Sequence, residues 1–249
     1  GPQIRSGSKS DEFDLVYMSV DEFTVITPDS APNQGATKVQ FKVTLKQGED
    51  TDEQPILRQV SATWTNTIRK TAVGYAEAPT TTASSIRLDA PAYSQMVRDP
   101  DIGGSICNPT TLTVMLNQRD PHLDLLPEEL ALTVQDFEYG FGNWSYTGSS
   151  PGLYGYESYA QYGDFNIIKQ ELSKGHTVGM SVRYSSYPNG SYPYLETGAT
   201  TNTGGHLITL TGFYYDKNLG DCVYYSTDSA ASNDYTSSGE HRRYQEKHL

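Results

Sequence analysis

The sequence predicts an α+β fold. A β-rich, sandwich-like segment spans residues 13–85, and a second domain over 90–249 lays down helices first and an antiparallel sheet afterwards. Three observations predict it. Apolar and polar residues alternate along Lys38-Val39-Gln40-Phe41-Lys42-Val43-Thr44-Leu45, as in a half-buried strand. Helix-like patterns follow between Cys107 and Gly175. Alternation then returns over Thr177–Tyr184 and in the β-prone runs His206–Phe213 and Cys222–Tyr225.

Taken in order, residues 1–12 are polar and read as a flexible, frayed terminus. Leu15-Val16-Tyr17, Phe23-Thr24-Val25-Ile26 and Gln59–Trp64 are further strand candidates in the β-rich segment. The acidic run 48–53 reads as a solvated turn, and residues 76–85 as a linker or long loop. Pro109 suits the first turn of a helix over Thr110–Gln118, because its missing N–H is one the helix does not use. A second helix starts at Leu126-Pro127 and is expected to place Leu130, Val134 and Phe137 on one face. A third runs from an Asp164 N-cap to Gly175. Residues 185–205 read as a loop, which leaves His206 at a strand end.

The charge balance narrows the partners. A net charge of −12 repels phosphate backbones, so neither nucleic acid nor an anionic membrane surface is expected. No stretch approaches the roughly 18 apolar residues of a membrane span. Gly1-Pro2 reads as the scar of a tag-removing cleavage with no signal segment after it. The Tyr-, Gly-, Ser- and Thr-rich composition leans to a secreted or cell-surface location. Two cysteines make neither a disulfide framework nor a zinc cage, and the five histidines show no zinc spacing, so no metal or cofactor is expected. Cys107 and Cys222 either form one bridge or leave at least one free thiol.

The neighbours of Cys107 fit equally a free thiol with a task and a small buried hydrophobe, and His206 shifts the balance to the first. The cysteine follows a Gly-containing approach and stands at a helix start, where the dipole and unpaired N–H groups favour a thiolate. His206 follows Gly204-Gly205, and Asp228 ends the next strand. If the two strands form a hairpin around 216–221, His206 and Asp228 face each other within a pair or two of register. A carboxylate so placed fixes an imidazole's tautomer and stabilises the imidazolium. The pattern is that of an activated nucleophile, with Cys107 attacking, His206 as base and Asp228 as orienter. A Cys107–Cys222 bridge would abolish that chemistry, so Cys222 is read as structural and unpaired. The eight aromatics of 139–162 either line a cleft that stacks a peptide or sugar, or pack on their own rings. Trp144, with Asn143 and Gly205, is the candidate substrate contact.

Three motifs carry a resemblance: Ile106-Cys107-Asn108-Pro109-Thr110-Thr111-Leu112, Gly205-His206-Leu207-Ile208 and Ser226-Thr227-Asp228. With Tyr93-Ser94-Gln95-Met96 and Gly140–Trp144 they resemble the stand-alone bacterial relatives of the bacteriocin-processing (double-glycine) cysteine peptidases, family thirty-nine of that class, over about 90–235. Asn108 stands where that family usually has Gly or Ser, and Ser229 where its acid is often followed by Pro. The resemblance implies a papain-like fold, a peptide or protein substrate and a monomer. It also implies that Gln95 donates to the oxyanion, with the Arg98-Asp99-Pro100-Asp101 insertion accounting for its 12-residue distance from Cys107. An amidase or acyltransferase would use the same triad. A cell-surface binding module is the reading from outside enzymes.

Overall fold

The computed structural model describes residues 9–10, 16–19, 22–25, 38, 40–49, 52, 54–64, 84–137, 139–195, 198–200, 202–230 and 240–249. In chain order its elements begin with strands β1 (Lys9–Ser10), β2 (Val16–Ser19), β3 (Glu22–Val25) and β4 (Ser85–Arg87). Helices α1 (Cys107–Arg119), α2 (Pro127–Val134), α3 (Trp144–Ser149) and α4 (Phe165–Ser173) follow. Strands β5 (Val178–Ser185), β6 (Asn202–Asp216), β7 (Asp221–Asp228) and β8 (Glu240–Gln245) complete the set. The order is mixed helix and sheet, α+β as expected. Among the described residues no helix is long and apolar enough to cross a membrane.

The chain forms two compact units. One comprises Gly1–Val73 with Gln135–Gln161, and the other Gly74–Val134 with Tyr162–Leu249. In the first, β1, β2 and β3 form an antiparallel sheet in that order. Two strand candidates fall on β2 and β3, and β1 lies inside the segment expected to fray. Two other expectations fail. Residues 40–48 and 54–64 form no strand, and Phe41, Leu45 and Trp64 stay 52%, 52% and 78% exposed. Alternation makes a strand only where another edge supplies ladder partners, and among the described residues none pairs here. The acidic run and the 76–85 linker lie in part outside the described residues.

The second unit is built on β6, which is long enough to take two partners along one edge. β5 pairs with its first half, and β4 pairs at Gly212–Tyr214. β7 lies on the other edge, and β8 lies beyond β7; every pairing is antiparallel. Val182, Tyr184, Ile208, Leu210, Phe213, Tyr224 and Tyr244 form the buried cluster on this sheet, closed by Leu172 of α4. Phe165 of α4 packs its ring 5.4 Å from that of Tyr224. Asp164 caps α4 as expected, its carboxylate accepting from Asn166 and Ile167 N–H at 2.9 and 3.0 Å. Ile106, Leu112, Leu116, Leu130 and Val134 bury the α1–α2 side. Leu130 and Leu172 are fully enclosed, so truncating either to Ala costs about 2–5 kcal/mol.

Phe137 corrects the reading of the second helix, because α2 stops at Val134 and Phe137 is 80% exposed. Asp136 and Gly140 exchange backbone hydrogen bonds at 2.6 and 2.7 Å, and Gly140 takes a φ of +75°. That reversal, open to glycine without strain, turns the chain before a further helical turn can form. His206 is also corrected. β6 begins at Asn202, so the histidine is an interior strand residue, paired with Val182 of β5.

Candidate active site

Cys107 is the first residue of α1. Ile106 provides no side-chain cap, Pro109 has no N–H, and the first intrahelical bond runs from Thr110 N–H to Ile106 O at 3.0 Å. The helix start therefore has donors to spare. The Cys107 sulfur accepts from the backbone N–H of Asn108 and, across the fold, from that of Leu207 on β6. Burial alone would push this thiol up. The hydrogen bond and positive charge of His206, helped by the two N–H groups, outweigh it, and the Cys107 pKa is lowered.

His206 is 5% exposed, and its Nε2–H donates to Asp228 Oδ1 at 2.8 Å. That leaves Nδ1 for the Cys107 thiol, with which the ring is also hydrogen-bonded. Burial disfavours the imidazolium, but Asp228 and Cys107 more than repay it and raise the His206 pKa to about 9. Asp228 is fully buried. Burial works against its charge, yet donors from His206, Tyr244 and the Ala230 backbone hold its pKa below the usual carboxylate range. A thiol of lowered pKa, a histidine of raised pKa and a carboxyl of lowered pKa thus follow one another in a buried site, each favouring the charged form of the next.

The ladder explains how β6 and β7 achieve this. From the turn outward the register runs Asp216↔Asp221 to Gly212↔Tyr225, and a bulge at Thr211 then shifts it to Leu210↔Ser226 and Thr209↔Thr227. Continued unbulged, Asp228 would fall opposite Thr209, on the face away from His206. With the bulge it falls opposite Ile208 and shares the histidine's face as a diagonal neighbour.

Residues 87–248 match the family described as Peptidase_C39 like family, well over half of the chain. The chain belongs to the C39-like family. No curated protein and no solved structure matches it. The family relationship makes it a relative of the C39 cysteine peptidases, and the matched span holds every residue of the cluster just described.

The other predicted residues of this C39-like chain divide into two groups. Gln95 lies in the same unit as Cys107 and is 4% exposed. Its Nε2 donates to Gly103 O at 2.9 Å, its Oε1 accepts from Ser229 Oγ at 2.7 Å, and its own N–H reaches Ser229 O at 2.9 Å. The 95–103 bond closes residues 96–102 into a loop and ties Gln95 to Gly103, four residues before Cys107. Gly205 is exposed and precedes His206 directly, its N–H and C=O both bonded to Thr203 Oγ1. Trp144 and Asn143 lie in the other unit. Trp144 is half-buried at the start of α3. Asn143 is 1% exposed and caps that helix, accepting from Ser145 N–H and donating to Asp136 Oδ2 at 2.9 Å.

Both cysteines are free, and Cys222 is partly buried against the sheet cluster as a structural residue would be. Sequence reading missed two contributors, Ser229 beside Gln95 and Tyr244 beside Asp228. Nothing local marks either of them, because β8 has no alternation strong enough to be read as a strand. Among the described residues no three His, Cys, Asp or Glu side chains gather as a metal site.

Proposed function

We propose that this C39-like chain is a cysteine peptidase of papain-like arrangement that cleaves peptide bonds through an acyl-enzyme on Cys107. The hydrogen-bonded line from Cys107 through His206 to Asp228 carries the reading. The thiolate attacks the scissile carbonyl, and a C–S bond forms as the oxygen takes the negative charge. The Cys107 N–H and the second Nε2 hydrogen of Gln95 receive that oxyanion. Imidazolium His206 protonates the leaving amine, the C–N bond breaks, and the ring becomes neutral. It then takes a proton from water, which adds to the thioester and releases acid and thiolate. Asp228 stays ionised throughout and keeps the ring in one orientation. Residues 13–85 serve this domain as a structural companion, and Trp144 contributes to substrate binding.

The test is a proteome-derived peptide library incubated with wild type, Cys107→Ala and His206→Ala. Cleavage is expected from the wild type only. Limiting iodoacetamide near about pH 6 is expected to label Cys107 well before Cys222. Acyl transfer without peptide cleavage would favour the amidase or acyltransferase reading. Equal labelling of both thiols, with no turnover of any kind, would favour the binding module.

A further inference from the structure

A carboxylate at 0% exposure is tolerable only if both oxygens find donors. Asp228 Oδ1 is supplied twice, by His206 Nε2–H at 2.8 Å and by Ala230 N–H at 3.0 Å. Oδ2 is supplied by Tyr244 Oη at 2.8 Å. Tyr244 belongs to β8, is 1% exposed, and stands opposite Tyr224 in the ladder. It therefore shares the face of Tyr224, Ser226 and Asp228, with small Ser226 between the two larger residues of β7. Other ionisable groups act here too: His206 from β6, Cys107 from α1 through that histidine, Tyr184 from β5 and Arg242 from β8. The Tyr184 hydroxyl accepts from Thr200 N–H at 3.2 Å. Among the described residues only Tyr244 adds a side-chain donor to the carboxylate besides the histidine.

We infer that Tyr244 is a positioning residue of this site: its hydroxyl holds the second oxygen of Asp228, so that the carboxylate stays ionised with its first oxygen aimed at His206. The inference rests on the Cys107–His206–Asp228 reading above. Burial, then the nearby negative charge of Asp228, push the Tyr244 pKa upward, so the phenol keeps its proton and remains a donor. Without it, Oδ2 would be buried with no side-chain partner. Such a carboxylate either rotates toward the Ala230 N–H or takes up a proton. Both outcomes deprive the imidazolium of its counter-charge, and with it the thiolate that depends on the imidazolium.

The test uses the full chain and needs no identified substrate. The rate of Cys107 alkylation by iodoacetamide is followed from about pH 4 to about pH 10 in wild type, His206→Ala and Tyr244→Phe. Tyr244→Phe is expected to move the acid limb upward by about one unit and to slow labelling several-fold near about pH 6. Its rates should rejoin those of wild type at the alkaline end, where a thiolate forms without an imidazolium. A purely structural tyrosine would lower the melting temperature and leave the limb in place. An unmoved limb in folded Tyr244→Phe overturns the inference. Should that variant fail to fold, a fluorinated tyrosine at position 244, a stronger donor of nearly the same shape, is expected to move the limb downward. An unmoved limb there overturns the inference equally. If wild-type Cys107 labels no faster than Cys222 and His206→Ala changes nothing, the triad reading itself fails. If that pair behaves as expected and only the Tyr244 variants do nothing, the failure belongs to Tyr244 alone.

Discussion

At the scale of single residues, Cys107 and His206 must be considered together, because each shift exists through the other. A histidine raised from its ordinary 6.5 to about 9 stabilises the fold fully below 6.5 and loses that contribution as pH rises through about 9. A depressed thiol does the opposite. Its contribution is present above the ordinary thiol value of about 8.5 and is lost as pH falls through the lowered one. Where the lowered thiol and the raised histidine are both charged, the folded pair is thiolate–imidazolium and holds one proton, as does the unfolded thiol–imidazole pair between the two ordinary values. Their contributions cancel, and the wild type's melting temperature should be nearly flat there. Cys107→Ala removes one half, and its stability should decline with pH above about 6.5 as His206 loses its proton. Melting curves of the two proteins across that range check this; parallel curves would mean that thiol and ring do not share a proton. Cys222 also has a neighbour that sequence did not disclose. Lys169 of α4 is hydrogen-bonded to it while pairing with Glu246 at 2.7 Å, so a cation stands beside the second thiol too. That lysine's charge is divided between the thiol and a carboxylate, whereas His206 is shared only along the site.

At the scale of elements, the approach to α1 depends on one missing side chain. A Cβ on Gly103 would lie 2.7 Å from the Gln95 carbonyl oxygen, and backbone is the atom it would meet. Gly103→Ala should therefore displace Gln95 while α1 and the sheet stay folded. On the proposed role of Gln95 it should lower kcat by roughly tenfold or more, with KM little changed, since an oxyanion donor acts in the transition state. Loss of KM alone in steady-state kinetics would place Gln95 in substrate binding instead. Sequence arithmetic reached Cys107, His206 and Asp228 because a helix start, a β-prone run and a short acidic turn are local signals. It placed His206 and Asp228 opposite each other to within a pair or two of register, and the Thr211 bulge makes them diagonal neighbours. A bulge alters register by one without any fixed residue signature, so no count from the turn could supply it. The alternation of 38–45 is as clear as that of β5, yet among the described residues β5 has an edge to pair with and 40–45 has none. Tyr244 was illegible for the same reason, since its role depends on β8 joining β7.

At the scale of the whole molecule, the division into units crosses the chain more than once. Residues 135–161, between α2 and α4, group with 1–73 rather than with the helices that flank them. Within that unit Arg58 Nη1 reaches Gly152 O at 3.4 Å. A chain starting at residue 74 should keep the pH profile of Cys107 labelling but become sensitive to protease within 135–161, where its companion is gone. Limited proteolysis with mass mapping checks this, and an equally resistant 135–161 segment would show that it needs no companion. The order of the site along the chain has a temporal consequence. A ribosome delivers Cys107 first, His206 almost a hundred residues later, Asp228 after that, and the Tyr244 strand after all of them. While synthesis proceeds the thiol has no base, and then a base whose carboxylate is not yet held. On the proposed mechanism a nascent chain therefore cannot cut peptide bonds until its last strand is in place. On that reading the thiol is made early and armed last.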